Sequence, residues 1–260
     1  MTYEFCTVAS DDHVLTVTFN RQELRNALHA DASHELGEVF DEFERDPDLW
    51  IAIVTGAGDK AFCAGADLRT PVAGGRPPIP PTGFAGLVSR FARRKPIIAA
   101  VNGFAMGGGF EAALACDIIV AATHASFGLT EPKVGLAALG GGIQRLVEEL
   151  GPKRAHALLL TGRTISAEEA AAAGIVAEVV APDDLLPAAR RWAEEIKLCS
   201  PASIAATKAV IHTIDSGGVE ASMKGMFALP EVRALLSGPD AREGRKAFAE
   251  KRKPQWADPE

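Results

Sequence analysis

Glu111 stands in the segment "NGFAMGGGFEAALACD" (Asn102–Asp117), directly after Gly107, Gly108, Gly109 and Phe110, inside an otherwise apolar run. Further along, Glu131 occupies "SFGLTEPKVGL", just before Pro132, among small and apolar neighbours. Two carboxyl groups in weakly polar surroundings are suited to moving protons, one accepting while the other delivers. Glycines at a helix start let a ligand approach the backbone and leave N–H groups free where the helix dipole is positive, a place to stabilise a developing oxyanion. A second donor is expected from "KAFCAGADL" (Lys60–Leu68), where a strand ends and the turn Ala64-Gly65-Ala66 exposes backbone N–H before Asp67. Two donors aimed at one oxygen make an oxyanion hole, each worth a few kcal/mol of transition-state stabilisation. Taken singly, each turn reads as an ordinary tight turn with glycine at positive φ. Taken singly, Glu111 reads as a helix-dipole partner and Glu131 as a surface acid. Their combination points to chemistry.

Those groups need a scaffold. "VLTVTF" (Val14–Phe19) alternates, and "WIAIVTG" (Trp50–Gly56) is β-branched and stops at a glycine, so both read as strands. Asp31 to Arg45 between them reads as an amphipathic helix with Asp31 as its N-cap. "PIIAAVNG" (Pro96–Gly103) and "DIIVAA" (Asp117–Ala122) flank the glycine-led helix as buried strands, which implies right-handed parallel crossovers. A helix over "GPKRAHALLLTG" follows, then a short one in "SAEEAAAAG" with a capping box from Ser166 to Glu169, and a strand at Ile175–Val180. Leu185, Ala189, Trp192, Ala193 and Ile196 mark one helical face, Ser200–Pro201 starts another helix, and no convincing strand follows. An α/β core over 1–195 and an all-helical region over 196–260 are expected. Between Thr70 and Gly83, five prolines and three glycines exclude regular structure and predict a rim or lid near the first turn.

Other chemistries lack their motifs. No G-x-x-x-x-G-K-[ST], G-x-G-x-x-G, G-x-S-x-G or H-E-x-x-H occurs, and the six histidines show no ligand spacing, so no metal, nucleotide or flavin site is expected. A net charge of -7 opposes binding to nucleic acid and anionic membranes. No apolar run is long enough for a bilayer and no signal peptide is visible. Cys6, Cys63, Cys116 and Cys199 are widely spaced, which fits small apolar thiols in a reducing cytoplasm.

Five segments together resemble the crotonase (enoyl-CoA hydratase/isomerase) superfamily, in the family's order and over nearly the whole chain. They are "NRQELRNAL", "KAFCAGADL", "AAVNGFAMGGGFEAALACD", "SFGLTEPKVGL" with "GGGIQRL", and "LTGRTISAEEAAAAGIV", followed by the "SPASIAATK" helix. The tail "AFAEKRKPQW" and "FAGL" look most like the carnitinyl-CoA dehydratase branch. The resemblance implies a spiral of repeated ββα units with a C-terminal helical region that assembles trimers or dimers of trimers. It implies an acyl-CoA thioester as substrate, with coenzyme A part of the substrate and no separate cofactor. Ala66 and Gly108 would hold the thioester oxygen, and Glu111 and Glu131 would clamp a water between them. Glu23, Arg25, Ala64, Ala66, Asp67, Leu68 and Gly107 would contact CoA or the acyl group, and Phe248 and Lys251 would close the CoA site. Glu23 stands where the family often has lysine, which removes a salt bridge to CoA phosphate and leaves that role to Arg25. Ala138 replaces a frequent proline, and Leu139 a small or polar residue, in the loop that positions the water. The expected reaction is hydration of a trans-2-enoyl-CoA. Carnitinyl-CoA dehydration and Δ3–Δ2 isomerisation are the alternatives, and a non-catalytic RNA-binding relative fits poorly with an acidic chain that keeps both acids.

Overall fold

The β-branched and alternating runs do become strands. The computed structural model describes residues 3–69 and 79–259. β1 (Cys6–Asp11) and β2 (Val14–Phe19) form an antiparallel hairpin, followed by α1 (Ala30–Arg45), β3 (Ile51–Gly56) and β4 (Ala61–Cys63). After the undescribed segment come β5 (Ile97–Val101), β6 (Phe104–Met106), α2 (Gly108–Leu114), β7 (Ile118–Ala122) and β8 (Ser126–Gly128). α3 (Gly142–Leu150), α4 (Pro152–Leu159), β9 (Ile165–Ser166), α5 (Ala167–Ala172) and β10 (Glu178–Val180) complete the mixed part. Four helices follow: α6 (Leu185–Lys197), α7 (Pro201–Gly225), α8 (Pro230–Ser237) and α9 (Pro239–Glu250).

One sheet has the order β1-β2-β3-β5-β7-β10, parallel from β2 onward. Its central strands read as unbroken apolar runs because both faces are covered. One face packs against Leu36, Val39, Phe40 and Phe43 of α1. The other meets Leu185, Ala188, Ala189 and Ala193 of α6 through Ile51, Ile53, Ile98 and Val120. The second sheet, β4-β6-β8-β9, positions the site. β4, β6 and β8 run parallel. At their carboxyl ends begin the Ala64–Asp67 turn, the Gly107–Gly109 helix start and the segment to Glu131 respectively. Ligands of open parallel sheets bind at that end.

Several expectations change in detail. α1 is capped by His29, whose Nδ1 accepts from the Ala32 amide at 3.0 Å, and Asp31 lies inside its first turn. The strand expected over Ile175–Val180 pairs only over Glu178–Val180, because Gly174 turns the chain at φ 89° and Ile175 and Val176 still cap α5. The Ser166–Glu169 capping box and the Ser200 cap with Pro201 at N1 form as expected. Cys6 and Cys63 are buried, but Cys199 is exposed rather than packed. Most of the proline- and glycine-rich stretch, residues 70–78, lies outside the described residues. No helix among the described residues is long and apolar enough to cross a membrane.

Candidate active site

Glycine sets the distance between the two donor turns. A Cβ on Gly65, whose φ is 95°, would lie 2.7 Å from the Met106 carbonyl and 3.3 Å from the Gly108 nitrogen. A Cβ on Gly109 would lie 2.0 Å from the Cys63 carbonyl oxygen. The turn after β4 and the start of α2 therefore touch backbone to backbone, which no larger residue permits. Leu28 fixes the first turn: its amide donates to Gly65 O at 2.9 Å and its carbonyl accepts from the Asp67 amide at 3.0 Å. This bridge uses the residues on either side of Ala66 and leaves the Ala66 amide out. Among the described residues, neither the Ala66 nor the Gly108 amide donates to any group. Phe84 seals one side, since its ring edge would be 2.9 Å from a Cβ on Gly108.

Glu111 lies in the first turn of α2 and is 5% exposed. Its Oε1 accepts from the Gly142 amide at 2.9 Å, and a Cβ on Gly140 would come within 2.5 Å of Oε2. Burial raises its pKa, opposed by the hydrogen bonds from Gly142 and Gly140 and by the charge of Arg145. Glu131 opens the 3₁₀ turn Glu131–Val134, and its Oε1 would be 3.2 Å from a Cβ on Gly107. Burial pushes its pKa to about 7, its own backbone amide opposes the shift, and the charge of Glu111 adds to it. Glu131 Oε2 is buried with no hydrogen-bond partner among the described residues. The two acids thus sense each other, one tied down by backbone amides and one with an oxygen left to accept or deliver a proton.

Glu23, Arg25, Ala64, Ala66, Asp67 and Leu68 line one open groove of about 340 Å³ beside the first turn. Arg69, not singled out from the sequence, lines it too. Asp67 holds Arg69 at 3.0 Å and Arg21 at 3.3 Å, and Arg69 first of all keeps its carboxyl at about 2. Leu139 does not join this groove. It is 80% exposed and lines a second groove on the far side of Gly140. Phe248, 88% exposed, and Lys251 sit on and just after α9 and line neither groove. Phe84, Arg145 and the paired glycines Gly140 and Gly142 are additions from the structure. The run "GGGIQRL" was the visible trace of the last three. No group of three His, Cys, Asp or Glu side chains that would hold a metal exists among the described residues.

Known proteins carry the same architecture. The family model for enoyl-CoA hydratase/isomerase matches residues 9–259. A carnitinyl-CoA dehydratase of Salmonella arizonae is 44% identical over 247 residues, 94% of each chain, and one of Proteus mirabilis is 42% identical with the same coverage. The structure of an enoyl-CoA hydratase from Mycobacterium marinum superposes with a TM-score of 0.90 at 38% identity, covering 97% of this chain and 98% of that one. A carnitinyl-CoA hydratase from Mycobacterium avium gives 0.77 at 42% identity, covering 98% of this chain and 99% of that one. With a family model spanning nearly its whole length and hydratases and dehydratases among its relatives, this chain belongs to the enoyl-CoA hydratase/isomerase family, the crotonases.

Proposed function

We propose that this chain catalyses the reversible syn addition of water to a trans-2-enoyl-CoA, giving a 3-hydroxyacyl-CoA. One juxtaposition carries this reading: two amides, Ala66 and Gly108, without a partner among the described residues, beside two electrostatically coupled carboxyl groups. The thioester oxygen accepts from both amides, which draws electrons from the C2–C3 double bond. Glu111, oriented by the Gly142 amide, takes a proton from water as the oxygen adds to Cβ. The electron pair passes through Cα to the thioester oxygen, forming the enolate. Glu131 then gives its proton to Cα on the same face as the new hydroxyl. CoA enters as part of the substrate, its chain lying along the Arg25 and Arg69 groove. The scheme needs no separate cofactor. Loss of the conjugated enoyl-thioester absorbance on adding the protein to crotonyl-CoA tests it, and no loss with any enoyl-CoA contradicts it.

A second reading, dehydration of a carnitinyl-CoA, is supported by the 44% identity to relatives of that name. It uses the same groups and differs only in the substituent beyond Cβ.

The pH profile separates these readings from a one-base isomerase. Hydration needs Glu111 ionised and Glu131 protonated, and dehydration needs the reverse. Both forms carry one proton on the pair, so kcat/KM follows the same bell in both directions. Its acid limb reflects the raised pKa of Glu111 and its basic limb falls as pH rises through about 7, where Glu131 loses its proton. A profile that rises through the same region and stays high identifies a single ionised base instead.

The helical region 196–260 is proposed to serve assembly into trimers or dimers of trimers. Ile211, Val219, Met223, Phe227, Leu236 and Phe248 are all exposed on it, more apolar surface than an isolated chain keeps in water. Light scattering at micromolar concentration is expected to give three or six chains, and a monomer alone contradicts this.

A further inference from the structure

A second groove, of about 590 Å³, shares Gly140 with the surroundings of Glu111. Gly140, Gly141 and Leu114 line it. Gly140 is the residue whose Cβ would press on the Glu111 carboxylate, and Leu114 lies one turn beyond Glu111 on α2. Its apolar lining comes from Val88, Leu139 and Ile211, and its cations are Arg90, Arg93, Arg145 and Lys208. Arg90 is spoken for by Asp41 at 2.6 Å. Arg93 is not. Its Nη2 donates to the Ala115 carbonyl, while Nε and Nη1 are buried with no partner among the described residues. The nearest carboxylate, Asp117, is 4.0 Å from Arg93 and already binds Lys208 and the Ile97 amide. Glu148 and Glu149 of α3 also line the groove, on the helix that carries Arg145. Arg145 itself donates to Val88 O at 2.8 Å and lies over the Phe91 ring. Burial, then repulsion from Arg93, holds the Arg145 guanidinium below its usual range.

A buried guanidinium with two unpaired nitrogens costs free energy that an incoming anion relieves. The geometry points to a substrate whose acyl chain runs past Glu111 into this groove and ends in a carboxylate that pairs with Arg93. This assignment rests on the enoyl-CoA reading above and names the class of acyl group within it: the CoA monothioester of an unsaturated dicarboxylic acid.

The test compares kcat/KM for the CoA monothioesters of trans-2-hexenedioic acid and trans-2-hexenoic acid, which differ only in a terminal carboxylate or methyl. The dicarboxylic substrate is expected to be favoured by about tenfold or more, as for a charge-assisted pair in a partly buried site. In Arg93→Leu that ratio falls to one or below, and Arg93→Lys restores part of it. A ratio of one in the parent protein, or a ratio untouched by Arg93→Leu, overturns the assignment while leaving hydration intact. If neither thioester is hydrated, the enoyl-CoA reading falls and this one with it. Loss of assembly in Arg93→Leu by light scattering, with both substrates losing equally, places Arg93 at a contact between copies and also overturns it.

Discussion

Glu111→Gln is expected to lower turnover on a trans-2-enoyl-CoA by about 10²-fold or more while leaving thioester binding nearly intact. The amide is close to the carboxylate in shape, and its oxygen still accepts from the Gly142 amide that Oε1 holds at 2.9 Å. Only the capacity to take a proton from water is removed. The comparison to make is single-turnover rate against CoA-thioester affinity. A loss confined to the rate supports a base that acts in the transition state. A loss confined to affinity, or a fully active variant, assigns Glu111 to structure and removes it from the mechanism. Glu131→Gln is expected to behave alike, because Cα then lacks its proton donor. A variant pair in which Glu131→Gln abolishes 3-enoyl-CoA isomerisation and Glu111→Gln leaves it untouched would identify a one-acid isomerase.

Gly109→Ala is expected to cost about as much, by a different route. The added methyl meets the Cys63 carbonyl oxygen at 2.0 Å, backbone against backbone, with no flexible side chain to yield. α2 must therefore move away from the turn after β4, taking the Gly108 amide with it and separating it from Ala66. A misplacement near 1 Å is enough for about a 10²-fold loss of rate, and overpacking of this kind costs about 1–3 kcal/mol of stability. Lower turnover together with a lower melting temperature, at unchanged secondary structure by circular dichroism, is the expected outcome. Full activity would mean that the spacing of the two amides does not matter and that they do not hold one oxygen.

Much of the architecture was legible wherever the chain is covered on two sides. β3 and β5 are buried at every position, so their apolar runs could be nothing but interior strands, and the α6 face of Leu185, Ala189 and Ala193 packs where its spacing placed it. β4, β6, β8 and β9 were not legible as a sheet, because runs of two or three residues have no period of their own and become strands only by pairing. His29 escaped notice as a cap because an imidazole nitrogen rarely takes that part. Within the site, the two acids and the two glycine turns stood out as residues in unusual company. Arg69, Phe84 and Arg145 did not, since nothing local distinguishes a loop arginine or a lone aromatic from its surface equivalents. The structure draws Glu23, Arg25, Ala64, Ala66, Asp67 and Leu68 into one groove, although Arg25 and Ala64 lie far apart in sequence, through the Ala64 amide bond to Arg25 O at 3.0 Å. It leaves Phe248 and Lys251 outside that groove, so their proposed contact with CoA depends on assembly or on movement of α9.

Incubation of crotonyl-CoA with the protein in D₂O, followed by NMR of the product, tests the central claim most directly. Hydration by Glu111 and Glu131 on one face predicts 3-hydroxybutyryl-CoA carrying a single deuterium at C2, syn to the new hydroxyl. Deuterium entering C4 without hydroxyl formation, deuterium at C2 anti to the hydroxyl, or no reaction at all would contradict it.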